Sequence, residues 1–166
     1  MITQLELKSI LNYNPDTGVF TWIEPLSKRY KSGDKAGKIH TSGHVRISLK
    51  YNKYYMHRLA WLYVYGKFPL LQIDHINGIR SDNRICNLRE CTQMQNSRNR
   101  IVSNSSTGLK GVTFCKKRNK WLAQITVNYV HINLGAYDCK HKAHAAYKNN
   151  SRILHGEFSL QNVCRD

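Results

Sequence analysis

Four side chains that could act together on a phosphodiester lie within Leu71 to Arg100, LQIDHINGIRSDNRICNLRECTQMQNSRNR: Asp74, His75, Asn87 and Asn96. Metal-assisted phosphodiester cleavage needs hard oxygen ligands, an open position for the phosphate and a base that activates water. Asp74 offers a charged oxygen and Asn96 a neutral one, so this pair reads as the metal site. The imidazole of His75 is partly neutral near pH 7 and can take a proton from water. Asn87 carries both a donor and an acceptor, which suits bracing the loop that presents His75.

The surrounding residues say how these groups are positioned. Leu71-Gln72-Ile73 leads into Asp74-His75 as a short apolar strand. The loop after it is rich in Asn, Gly, Asp and Ser, which tolerate turns. Asn87 to Cys91 reads as a returning strand, and Thr92 with Gln95 as a capping box that starts a helix bearing Asn96. Neighbours on an ideal strand point to opposite faces, so a twisted strand end is expected to let Asp74 and His75 reach one phosphate.

Upstream, Thr3 to Leu11 suits a short helix with a Thr3/Glu6 capping box and apolar Leu5, Leu7 and Leu11. Asn14 to Gly18 is a turn, followed by a strand over Val19 to Trp22. Ser27 to Lys38 reads as a basic loop. Val45, Ile47 and Leu49 alternate with Arg46, Ser48 and Lys50, the period of a half-buried strand. A turn at Tyr51-Asn52-Lys53 would return the chain along Tyr54-Tyr55-Met56, exposing Arg46 and Lys50 to a phosphate backbone or simply to solvent. Arg58 to Tyr65 reads as a helix stopped by Gly66, with Leu59, Leu62 and Val64 in the core. His57, just before it, reads as a buried, hydrogen-bonded histidine rather than a ligand.

Downstream, Val102 to Gly108 reads as a linker, placing a boundary near residue 105 between residues 1–104 and 105–166. Gly111 to Phe114, Trp121 to Val127 and Val130 to Tyr137 are strand candidates. Lys140 to Leu154 is a helix with small residues on one side, ended by Gly156. The expected class is α+β: a two-strand-and-helix core, an N-terminal antiparallel hairpin region, and a C-terminal three-stranded sheet with one helix.

Charge narrows the partners. The chain of 166 residues has 26 Lys plus Arg against 10 Asp plus Glu, a formal +16. Such an excess repels itself unless a polyanion relieves it, which points to nucleic acid, held in a salt-dependent way. Arg84, Arg98 and Arg100 beside the core are candidate phosphate contacts, with plain surface charge as the alternative. No apolar run spans a bilayer, and no charged-then-apolar leader opens the chain. Cys86, Cys91, Cys115, Cys139 and Cys164 form no Cys-x-x-Cys pair, so a reducing cytoplasm is expected, without a zinc or disulfide framework.

Asp74-His75-x-Asn77-Gly78, then Asp82-Asn83-Arg84-x-x-Asn87-Leu88, then Asn96, resembles the HNH nucleases, which use a ββα-metal fold. His57-Arg58-Leu59-Ala60-Trp61 is also similar to phage and intron homing endonucleases. The resemblance implies His75 as general base, Asn87 as the loop brace, and Asn96 where the family commonly has a histidine ligand. With Asp74, that oxygen set favours Mg²⁺ or Mn²⁺, one per active site, over Zn²⁺ or Ni²⁺. It implies a site-recognising endonuclease acting on double-stranded DNA as a monomer; a DNA-binding regulator with a vestigial core is the rival class.

Lys120 to Ile125, Leu134 to Tyr137, Ala143 to Tyr147 and Leu154 to Phe158 resemble the APETALA/ethylene-response-factor DNA-binding domain. That implies a sheet lying in the major groove. Several of the family's base-contact positions fall on Thr113, Cys115, Thr126 and Asn133. Lys116, Lys117, Arg118, Lys120 and Gln124 are then the candidate phosphate or base contacts, and Trp121 belongs to the core.

Overall fold

The computed structural model describes residues 1–99 and 107–159. The fold is α+β and divides into two compact units, one containing Met1–Asn96 and the other Ser97–Gln161. Arg100 and most of the expected linker lie outside the described residues, as does Cys164.

The first unit opens with α1 (Gln4–Ile10), whose capping box forms as the Thr3/Glu6 spacing requires. Leu7 and Ile10 are buried, but Leu5 is 81% exposed, so Leu5 lies on the outer face rather than in the core. Leu11 is already extended and starts β1 (Leu11–Asn14), so the helix ends one residue earlier than expected. β1 pairs antiparallel with β2 (Val19–Trp22) across the Asn14–Gly18 turn. Tyr13, Phe20 and Trp22 carry the hairpin's inner face into the core.

A second sheet follows, ordered β3 (Lys38–Ile39), β4 (Val45–Leu49), β5 (Asn52–Tyr55). Lys50 and Tyr51 both take positive φ, 46° and 70°, the pair of conformations a two-residue hairpin needs. The turn therefore comes one residue earlier than expected, and Asn52 and Lys53 belong to β5. The chain passes directly into α2 (Met56–Tyr65), which Gly66 ends in the left-handed conformation. Met56, His57, Leu59, Ala60 and Leu62 are buried on its inner face, whereas Val64 is exposed.

β6 (Gln72–His75) and β7 (Leu88–Cys91) then pair antiparallel, with Asp74 opposite Arg89 and His75 opposite Leu88. A 3-10 turn over Ile85–Asn87 leads into β7. α3 (Gln93–Asn99) begins at the Thr92/Gln95 box, where each backbone N–H donates to the other's side chain at 2.8 and 3.3 Å. The result is a ββα finger. Ile73 and Leu88 join it to the same core that α1, α2 and the two hairpins build.

The second unit is an antiparallel sheet ordered β10 (Val130–Tyr137), β9 (Lys120–Val127), β8 (Val112–Cys115), covered by α4 (Lys140–His155). Its core is small: Val112, Ala123 and Ala143, flanked by Leu109, Trp121, Leu134, Tyr137 and Ala146. Trp121 packs into that cluster with its ring 4.8 Å from Phe114. Gly111 takes φ 71°, and a Cβ there would stand 2.0 Å from the ring of Tyr147, so the close approach of helix and strand requires glycine. No helix among the described residues is long and apolar enough to cross a membrane.

Candidate active site

β6 puts Asp74 and His75 at its C-terminal end, both buried, on opposite faces of the strand. Each has its own company. The Asp74 carboxylate accepts two hydrogen bonds from the guanidinium of Arg89, at 2.7 and 3.0 Å, from the residue directly across the ladder. Such a pairing compensates a carboxylate taken out of water. Gln72 precedes Asp74 by two and shares its face, and its side-chain oxygen accepts from the Asn96 amide at 2.8 Å. The amide of Asn96 thus reaches the face of β6 that carries Asp74.

His75 turns the other way. Its Nε2 lies 3.4 Å from the side-chain oxygen of buried Asn83. Its ring also meets those of His57 and His44, with centroids 5.2 and 5.7 Å away. Burial pushes the His75 imidazole below the ordinary histidine value, although the Asn83 hydrogen bond and the Asp74 charge pull the opposite way. Burial likewise lowers His57 to about 3 and His44 to about 4, helped by the neighbouring His75 ring. All three rings are therefore neutral at physiological pH.

The loop between the strands is held by Asn87. Its side-chain oxygen accepts from the backbone N–H of Asn77 at 3.0 Å. Its amide nitrogen donates to the Asn77 side-chain oxygen at 3.0 Å and to the Asp82 carbonyl at 2.9 Å. The Asn77 amide in turn donates to the Asp82 carboxylate at 2.7 Å, and the Asn87 carbonyl accepts from the N–H of Ile76. One side chain thus ties Asn77 and Asp82, the two ends of the loop, to the 3-10 turn that leads into β7.

Further support comes from the first hairpin. The Tyr13 hydroxyl donates to the Asn83 carbonyl at 2.8 Å. Gly18 packs so tightly on the loop that a Cβ would fall 2.4 Å from the backbone nitrogen of Arg84.

The basic candidates are differently engaged. Arg84 binds Asp82 in a fork at 2.7 and 2.9 Å, with its charge still half exposed, and holds the Asp82 carboxyl below its usual range. Lys50 pairs with Glu6 at 2.9 Å, and Arg46 lies over the Tyr55 ring. The side chain of Arg98 and the whole of Arg100 lie outside what the structure describes. In the second unit Lys116, Lys117 and Arg118 form an exposed 3-10 turn, Gln124 is exposed on β9, and Lys120 pairs with Asp138.

The sequence reading did not include Gln72, Asn83, Arg89, His44 or His57 among the site residues. His57 is buried as expected but is not hydrogen-bonded through Nδ1, which is buried without a partner. Arg89 was legible as the residue opposite Asp74 once the register was fixed. His44, 31 residues away in the chain, carried no local signal.

Comparison with known proteins agrees with this geometry. A family described as HNH endonuclease matches residues 54–98, which run from β5 through α2 and the ββα finger into α3. The chain is 31% identical over 105 residues to Protein 3.8 of Escherichia phage T7, covering 62% of this chain and 86% of that one. It is 27% identical over 118 residues to the uncharacterized HNH endonuclease L560 of Acanthamoeba polyphaga mimivirus, covering 70% of this chain and 61% of that protein. No solved structure matches. With a ββα finger lying inside the matched stretch, residues 54–98 of the chain form an HNH endonuclease domain.

Proposed function

We infer that the protein is a divalent-metal-dependent, site-recognising DNA endonuclease of phage or intron homing type. One observation carries the reading: the ββα finger directs Asp74 and the Asn96 amide to one face of β6 and holds neutral His75 at the end of that strand. The donor set on the Asp74 face is a carboxylate and a side-chain amide, with Gln72 orienting the latter, and such oxygens fit Mg²⁺ or Mn²⁺. Asp74 and Asn96 would hold one such ion, which when bound stabilises charge on the phosphate and the leaving oxygen.

The chain's own residues do the rest. His75 accepts the proton of the attacking water, and Asn83 fixes the orientation of its ring. Asn87 keeps the His75 loop in place, and Arg89 orients the Asp74 carboxylate. Arg84, Arg98, Arg100, Arg46 and Lys50 supply positive charge for flanking phosphates of double-stranded DNA. The exposed sheet face and the Lys116–Arg118 turn of the second unit act as an APETALA/ethylene-response-factor-type DNA-binding domain, residues 105–166, setting affinity and register.

One observation favours a second reading. Arg89 already neutralises Asp74, as it would in a DNA-binding regulator that no longer needs the ion. Incubating supercoiled plasmid, with and without the protein's own flanking DNA, in Mg²⁺, Mn²⁺ or EDTA separates the two. The nuclease gives nicked or linear product that EDTA abolishes; retardation of DNA without a cut under any metal favours the regulator.

A further inference from the structure

His44, His57 and His75 come from three separate elements: the residue before β4, the first turn of α2, and the end of β6. Each offers one ring nitrogen, and the three nitrogens all lie within 4.8 Å of one another. The ligands of a tetrahedral Zn²⁺ stand about 3.3 Å apart, so rotations of the rings by roughly an ångström at the nitrogen would close them on one ion. His57 and His75 are buried and His44 is half buried, which leaves His44 as the side open to solvent.

Two further observations point to a ligand. The Nδ1 of His57 is buried, in a side chain only 7% exposed, without any hydrogen-bond partner. A buried imidazole nitrogen left so costs free energy that an ion would recover. His44 and His75 meanwhile each hold a ring nitrogen against an oxygen, of Ser42 at 3.2 Å and Asn83 at 3.4 Å. Oxygen partners of this kind fix the ring orientation of metal-binding histidines.

We propose that His44, His57 and His75 bind a borderline transition-metal dication of the Zn²⁺ class, separately from the oxygen site, and that this ion shuts the nuclease off by capturing His75. Three imidazoles with an open fourth position suit Zn²⁺, Co²⁺ or Ni²⁺ and discriminate against Mg²⁺, whereas the Asp74 face has the reverse preference. The two metals therefore have opposite effects: the hard ion assists cleavage, and the borderline ion occupies the base that cleavage needs. The binding site stands on the three histidines alone; its inhibitory consequence rests on the nuclease reading above.

The test uses the full-length protein stripped of metal with chelator. Co²⁺ is titrated and its visible absorption followed, and Zn²⁺ is titrated against histidine ring NMR signals. The expected result is one equivalent bound, with perturbed ring signals for three of the eight histidines. His44→Gln and His57→Gln each weaken binding at least tenfold. In plasmid cleavage with excess Mg²⁺, stoichiometric Zn²⁺ lowers the wild-type rate at least tenfold, and lowers each variant's own rate far less. Absence of a Co²⁺ signal, or ring shifts at histidines other than these three, overturns the site, and the NMR result holds even if a variant fails to fold. Binding with undiminished cleavage overturns the inhibition. Binding by a protein that cuts no DNA under any metal keeps the site and overturns the nuclease reading instead.

Discussion

The Tyr13 hydroxyl donates to the backbone carbonyl of Asn83 at 2.8 Å, joining residues 70 apart in the chain. Asn83 in turn meets His75 through its side chain, so the N-terminal hairpin reaches the proposed base through a single intermediary. The same hairpin presses Gly18 onto the backbone at Arg84. The first twenty-odd residues therefore belong to the site's support, although no residue among them does chemistry.

Replacing Tyr13 by Phe leaves the Asn83 carbonyl without this donor and should cost about 1–2 kcal/mol of stability. Gly18→Ala should cost more, about 2–4 kcal/mol, because the φ of 69° disfavours a side chain and the obstruction is backbone that cannot swing aside. Urea denaturation of the two variants checks the order.

Asn87→Ala removes three hydrogen bonds at once and leaves the Asn77 N–H and the Asp82 carbonyl to find other partners. A loss of about 2–4 kcal/mol is expected. Cleavage should fall further than stability does, since the loop that carries His75 loses its brace. Comparing thermal midpoint with single-turnover rate distinguishes the two losses.

Arg89→Met strips the buried Asp74 carboxylate of its guanidinium partner, and breaking such a pair costs about 3–5 kcal/mol. An ion on Asp74 could replace part of that compensation. The midpoint of Arg89→Met should therefore rise with millimolar Mg²⁺ by several degrees more than that of the wild type.

Acid should destabilise the metal-free protein. His57 is lowered to about 3 and His44 to about 4, from about 6.5 in the unfolded chain, by burial first and by the charge of His75 next, with Arg58 adding to the effect at His57 and Arg80 at His44. Unfolded imidazoles thus take up protons first as the pH drops. The stability contributed by the neutral rings is complete above about pH 6.5 and is lost progressively toward about pH 4 for His44 and about pH 3 for His57. Thermal melts in EDTA should show this slope, and His57→Gln should flatten it.

Much of the architecture was legible because local rules decided it. The alternation from Val45 to Leu49, the capping boxes at Thr3 and Thr92, and the stops at Gly66 and Gly156 all reflect interactions within a few residues. The errors came where tertiary packing overrode them. Leu5 and Val64 are apolar yet face outward, because each short helix has only one face to bury. The hairpin turn moved to Lys50-Tyr51 because strand register, not turn propensity, selected its two positive-φ residues. At the site, Asp74, His75, Asn87 and Asn96 stood out by type and spacing. Arg89 needed the ladder register, and His44 with His57 needed three elements to converge, which no spacing along the chain encodes.

The most direct test of the central assignment is cleavage of supercoiled plasmid in Mg²⁺ by wild type and His75→Ala, with DNA binding measured in parallel by gel retardation. Loss of a general base should lower the cleavage rate by about 10²–10⁴ while retardation is kept. Cleavage by His75→Ala at the wild-type rate would contradict the assignment of His75 as the base.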